Sequence, residues 1–77
     1  DSWIIDSGAT NHMCCDLSLF EYVLPKSNSF VQLPNENRIP ITHEGTVKIS
    51  NSLTLKGVLC VPSFEFNLIS VNKLVDS

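Results

Sequence analysis

The tripeptide Asp6-Ser7-Gly8 is where this chain could do chemistry. A carboxylate at the end of an apolar run, followed by a hydroxyl and a glycine, can take a proton from water or give one to a carbonyl. Gly8 lets the backbone come close enough to aim an N–H at that carboxylate. Alone, the tripeptide is also the composition of an ordinary turn at a strand's end, where Asp and Gly recur for local reasons. A second set of reactive types is His12, Cys14, Cys15, His43 and Cys60. Structural zinc sites show closely spaced Cys pairs of the Cys-x-x-Cys kind, and none is present, so no metal is expected. The cysteines read as small buried hydrophobes. A Cys–His nucleophile built from Cys14 or Cys60 has no local signature. Trp3 reads as core, and Glu44 as a solvated strand-edge residue.

Several elements must hold Asp6 in place. Ser2-Trp3-Ile4-Ile5-Asp6 reads as a buried strand, stopped by Ser7-Gly8-Ala9-Thr10. Asp16 is positioned to N-cap a short helical turn carrying Leu17, Leu19, Phe20 and Val23, closed by Pro25. Phe30-Val31-Gln32-Leu33 and Arg38-Ile39-Pro40-Ile41 flank Pro34-Asn35-Glu36-Asn37 as the arms of a hairpin, with Pro40 restricting the second arm to an edge or bulge. Thr46-Val47-Lys48-Ile49 alternates cleanly, and Ser50-Asn51-Ser52 turns the chain into Leu53-Thr54-Leu55. Gly57 reads as a bulge, followed by a central apolar strand, Val58-Leu59-Cys60-Val61, ended by Pro62. Asn67 is expected to cap a final helix on which Leu68, Val71 and Val75 share a face. Six short strands and one late helix predict a small, mostly β, barrel-like fold.

The bulk numbers narrow the class. At 77 residues the chain is one domain, spanning 1–77. A chain this size buries only about 60% of its unfolded surface, so a partner or a staple is expected. It is 43% hydrophobic and 17% charged, the composition of a folding protein. A net charge of −3 with five scattered Lys and Arg residues argues against direct nucleic-acid binding. No apolar run approaches the roughly 20 residues of a membrane span. Three cysteines, two of them adjacent, suggest no disulfide framework and point to a reducing compartment. With no initiator Met, the chain reads as a domain excised from a longer polypeptide.

Trp3-Ile4-Ile5-Asp6-Ser7-Gly8-Ala9-Thr10 resembles the active-site strand and turn of retropepsins, and the extension Asn11-His12-Met13 resembles copia-type LTR retrotransposons in particular. Val58-Leu59-Cys60-Val61-Pro62 is similar to that family's VLYVP strand, and Asn67-Leu68-Ile69-Ser70-Val71 to its NLLSV helix start. The resemblance covers nearly the whole chain and implies a closed, retropepsin-like β-barrel with a flap hairpin and one short C-terminal helix. It implies an aspartic endopeptidase that processes a Gag-Pol polyprotein without a cofactor. Asp6 would be the catalytic carboxylate and Ser7, Gly8, Ala9 and Thr10 its loop. Leu33, Pro34, Asn35, Glu36, Asn37 and Arg38 would form the flap over an extended segment of the polyprotein. One Asp-Ser-Gly per chain is half a site, so a homodimer is implied, acting in the cytoplasm or a virus-like particle. In the family, Ser7 would bond across to the partner's loop. Three features depart from the pattern: a flap tip without glycine, Ser70 where many retropepsins have Gly, and no terminal strand after the helix. The alternative is a catalytically silent β-barrel module with an assembly role in the polyprotein.

Overall fold

Aromatic and β-branched residues favour an extended, laddered backbone, and the first such run forms β1 (Trp3–Asp6). The computed structural model describes residues 2–76. After β1 come β2 (Met13–Cys14), a 3-10 turn (Leu17–Leu19), β3 (Phe20–Pro25), β4 (Phe30–Gln32), β5 (Arg38–Pro40), β6 (His43–Ser50), β7 (Leu53–Cys60), β8 (Asn67–Ser70) and α1 (Val71–Asp76). The fold is mostly β with one short helix, as expected. Six strands form one sheet in the order β1-β8-β2-β7-β6-β3, and β4 with β5 forms a separate hairpin.

The long hairpin β6–β7 follows from clean alternation on both arms, which puts Val47 and Leu55 opposite one another and inside. Gly45 faces Val58 while Val47 faces Leu55, so β7 carries one extra residue between these pairs. Gly57 lies within that insertion at φ +66°, a left-handed conformation that suits glycine, so the expected bulge is present.

Among the described residues eight strands form where six were expected: the runs at 53–55 and 58–61 merge into β7, and β2, β3 and β8 are added. β1 is not the buried strand expected, because it lies at the sheet edge with Ile4 and Ile5 42% and 70% exposed. Two segments also change type. The helical turn over 17–23 shrinks to Leu17–Leu19, and the chain then runs as strand β3. Asp16 does cap, its carboxylate accepting from the Ser18 N–H at 3.0 Å and the Ser18 hydroxyl at 2.7 Å. One turn of helix, however, fixes many dihedrals for few hydrogen bonds, whereas β6 offers a ladder to Phe20, Tyr22 and Val23. The second difference is at Asn67, which does not cap a helix. Residues 67–70 form β8, parallel to β1 in the register Trp3↔Asn67 through Asp6↔Ser70. The Asn67 Oδ1 instead accepts from the Cys15 N–H at 3.0 Å, and its Nδ2 donates to the Ser2 carbonyl at 3.4 Å. The helix cap falls to Ser70, whose Oγ accepts from the Lys73 N–H at 3.1 Å.

Two apolar clusters make the core. Cys14, Val47, Leu55, Val58 and Ile69 form the first, with Trp3 and Phe20 packed against it. Cys14 and Cys60 are fully buried free thiols, consistent with their reading as small hydrophobes. Met13, Ile41 and Val61 form the second, against which Val31, Ile39, Phe64 and Leu68 pack. This second cluster seats the β4–β5 hairpin on the sheet. The base of the hairpin is tied by the Thr42 N–H to the Cys60 carbonyl at 3.0 Å. Glu44 lies on β6 between two neighbouring strands and pairs with Lys26 at 2.9 Å. Both partners are well exposed, so the pair adds at most about 1 kcal/mol.

Candidate active site

Parallel pairing of β1 with β8 carries Asp6 to the C-terminal end of its strand, opposite Ser70 and beside the start of α1. The chain turns sharply there, and the Gly8 N–H donates to the Asp6 Oδ1 at 2.7 Å. That distance is typical of a charge-assisted bond to a carboxylate.

The far end of the chain clamps the loop that follows. The Ser70 hydroxyl donates to the Ala9 carbonyl at 2.7 Å, and the Asn72 side-chain amide donates to the Ser7 carbonyl at 3.2 Å. Behind Ser70 stands His12, whose Nδ1 accepts from the Ser70 N–H at 3.0 Å. A backbone N–H can only donate, so Nδ1 carries the lone pair and the ring proton sits on Nε2. His12 is 3% exposed and Ser70 is fully buried. Burial, and secondarily the Lys73 ammonium, hold the His12 imidazole below its ordinary pKa, so the neutral ring is favoured.

Asp6, Gly8, Ala9 and Thr10 open onto a cleft of about 500 Å³ whose other wall includes Phe30, Leu33 and Pro34. Its floor is apolar, with Met13, Ile41, Leu59 and Leu68. Of the residues expected as a flap, Leu33 and Pro34 reach this cleft, while Asn35, Glu36, Asn37 and Arg38 do not line it. The glycine-free tip turns because Glu36 adopts φ 69° and the Asn35 carboxamide accepts from the Asn37 N–H at 3.1 Å. The Leu33 N–H to Asn37 carbonyl bond at 2.8 Å closes the turn. Arg38 stacks its guanidinium over the Phe30 ring at 4.9 Å, bracing one arm against the other. Ser7 is exposed, and within the chain its carbonyl rather than its hydroxyl makes the cross-element bond.

The soft-ligand types do not gather. Among the described residues no three of His, Cys, Asp and Glu converge on a common point. Burial pushes the Cys14 thiol up to about 11, which makes it a poor nucleophile at neutral pH. Sequence reasoning missed the roles of His12, Ser70 and Asn72 in holding the loop. Ser70, immediately before the apolar Val71, is a residue type favoured at helix N-caps, a signal that could have placed it. Nothing local links His12 to a backbone amide 58 residues away.

Residues 3–77 match the family model described as the β-barrel domain of Pol polyproteins. The chain is 37% identical over its full length to the retrovirus-related Pol polyprotein from transposon RE2 of Arabidopsis thaliana. It is 33% identical, again over its full length, to that from transposon RE1 of the same plant. The chain spans about 6% of the length of these two relatives. No solved structure matches it significantly.

Proposed function

Because the chain belongs to the family of Pol polyprotein β-barrel domains, we propose that it is half of an aspartic endopeptidase of retropepsin type from a copia-type element. Its substrates are extended segments of the parent polyprotein. The observation that carries this reading is the Asp6 carboxylate, gripped by the Gly8 N–H at 2.7 Å on the wall of an apolar cleft shared with the β4–β5 hairpin.

The chemistry needs two carboxylates. One, ionised, takes a proton from water as the water oxygen bonds to the peptide carbonyl carbon. The other, protonated, polarises the carbonyl oxygen. The C–N bond then breaks and the proton passes to the departing amine. Two carboxyls about 3 Å apart cannot both ionise, so a pair shares one proton. Each chain has one Asp-Ser-Gly, so the second carboxylate comes from a second copy. Ile4 and Ile5 support this dimer reading: they immediately precede Asp6 on a strand with a single neighbour, and Ile5 is 70% exposed. Gly8 occupies Oδ1, and Oδ2 is the oxygen that works on water.

Asp6→Asn tests the reading. Asn is nearly isosteric and can still accept the Gly8 N–H, but it cannot ionise. Cleavage of a polyprotein-derived peptide should fall by roughly 10²–10⁴-fold or more, with an unchanged circular-dichroism spectrum. Cleavage near the wild-type rate in the folded variant would assign the chemistry to another group.

A further inference from the structure

The peptidase reading uses Asp6 and its loop but leaves His12 unexplained. A buried histidine spends its Nδ1 on the Ser70 backbone amide at the end of β8. The Ser70 N–H it accepts belongs to the residue whose hydroxyl grips the Ala9 carbonyl. Three groups therefore lie in series: the imidazole, the Ser70 backbone and the active-site loop. The His12 backbone is itself fixed, since its carbonyl accepts from the Leu59 N–H at 3.0 Å, so the ring has a rigid mount.

We propose that His12 is a positioning residue that acts through Ser70 on the active-site loop, and that protonating His12 releases the loop at acid pH. The proposal rests on the peptidase reading for its consequence in catalysis. An imidazolium carries a proton on Nδ1, so it faces the Ser70 N–H with a second donor where an acceptor had been. Ser70 is fully buried, so no bulk water replaces the lost acceptor. Ser70 must shift, and its hydroxyl shifts with it away from Ala9.

The charged groups on this side of the ring are of both signs. Lys73 on α1 and Lys56 on β7 line the cleft beside His12. Glu44 on β6 reaches toward Gly57 from the same side as the Lys73 ammonium. Burial and the Lys73 ammonium oppose a further positive charge on the ring, and the Glu44 carboxylate only partly offsets that ammonium. A loop that loosens at low pH would set the acid limit of cleavage separately from the two carboxylates.

The test uses the isotopically labelled chain in a pH titration followed by amide NMR, alongside a pH–rate profile. In the wild type, the Ser70 and Ala9 amides should move together with one midpoint below 6.5, the ordinary histidine value. The same movement should persist in Asp6→Asn, which separates it from titration of the carboxylates. His12→Asn places a non-titrating amide oxygen near the position of Nδ1. It should abolish the paired movement and shift the acid limb of cleavage to lower pH. His12→Leu removes the acceptor, and its cleavage should fall about a hundredfold at every pH, the scale of an ångström-sized misplacement. Should His12→Leu fail to fold, His12→Asn carries the test. A His12 ring that titrates while Ser70 and Ala9 stay still would overturn the proposal. So would an acid limb unchanged in His12→Asn. A wild-type chain that folds and titrates as described yet cleaves no peptide as a dimer would refute the peptidase reading and leave the latch standing.

Discussion

Ser70→Ala offers the cleanest measure of what ties the two ends of the chain together. Ser70 is fully buried, and its hydroxyl does two jobs at once. It donates to the Ala9 carbonyl at 2.7 Å and accepts from the Lys73 N–H at 3.1 Å. The substitution removes one atom, so packing changes little. Loss of the helix cap costs about 1 kcal/mol. Leaving the half-buried Ala9 carbonyl without its partner costs about another 1 kcal/mol. The sum, about 2 kcal/mol, corresponds to a fall of roughly 10 °C in Tm for a domain of this size. The His12 contact survives, because it is made by the Ser70 backbone. The loss should therefore be local to α1 and the loop at 7–10. Thermal melts by circular dichroism give the magnitude, and hydrogen exchange gives the location, with Gly8 to Asn11 losing protection before β6 and β7. A Tm within about 2 °C of wild type, or exchange that rises evenly through the sheet, would refute this account of the clamp.

Three further outcomes are expected. His12 has a lowered pKa in the folded chain, so below pH 6.5 the unfolded state binds more protons and stability falls with pH until the folded value is passed. Melts from pH 7.5 downward should show this slope in the wild type, and a flatter curve in His12→Asn would confirm its source. If the active unit is a dimer, activity should rise with the square of protein concentration while monomers dominate. Sedimentation with a cleavage assay across a dilution series would expose a strictly linear dependence, which would sink the half-site model. Cys14 and Cys60 are fully buried and Cys15 only partly so, which predicts one readily labelled thiol in the native chain and three after unfolding. Rapid native labelling at Cys14 would contradict its burial and the raised pKa of about 11.

What could be read along the chain was whatever local chemistry decides. The hairpins at 30–40 and 43–60 and the bulge at Gly57 follow from alternation, turn residues and a single glycine, all within a few positions of one another. So does the turn at Asp6-Ser7-Gly8, whose internal bond spans two residues. The helical turn that shrank and the misplaced start of the final helix, which begins at Val71 rather than after Asn67, share a cause. Leu17 to Val23 and Asn67 to Ser70 are short runs whose apolar residues can sit on either a helical face or a strand. Short segments like these go to the element that offers ladder partners. β6 supplies them to Phe20–Pro25, and β1 and β2 supply them to Asn67–Ser70.

The sequence by itself determined the carboxylate, its turn and the mostly β character of the chain, because each depends on residue type and short-range spacing. Only the tertiary structure decided how that carboxylate is held. The Ser70–Ala9 and His12–Ser70 bonds join positions 61 and 58 residues apart. They exist because β8 threads between β1 and β2, a pairing that no local pattern encodes. Hydrogen bonds between distant segments form only after the apolar faces have met, and burial then keeps water from replacing them.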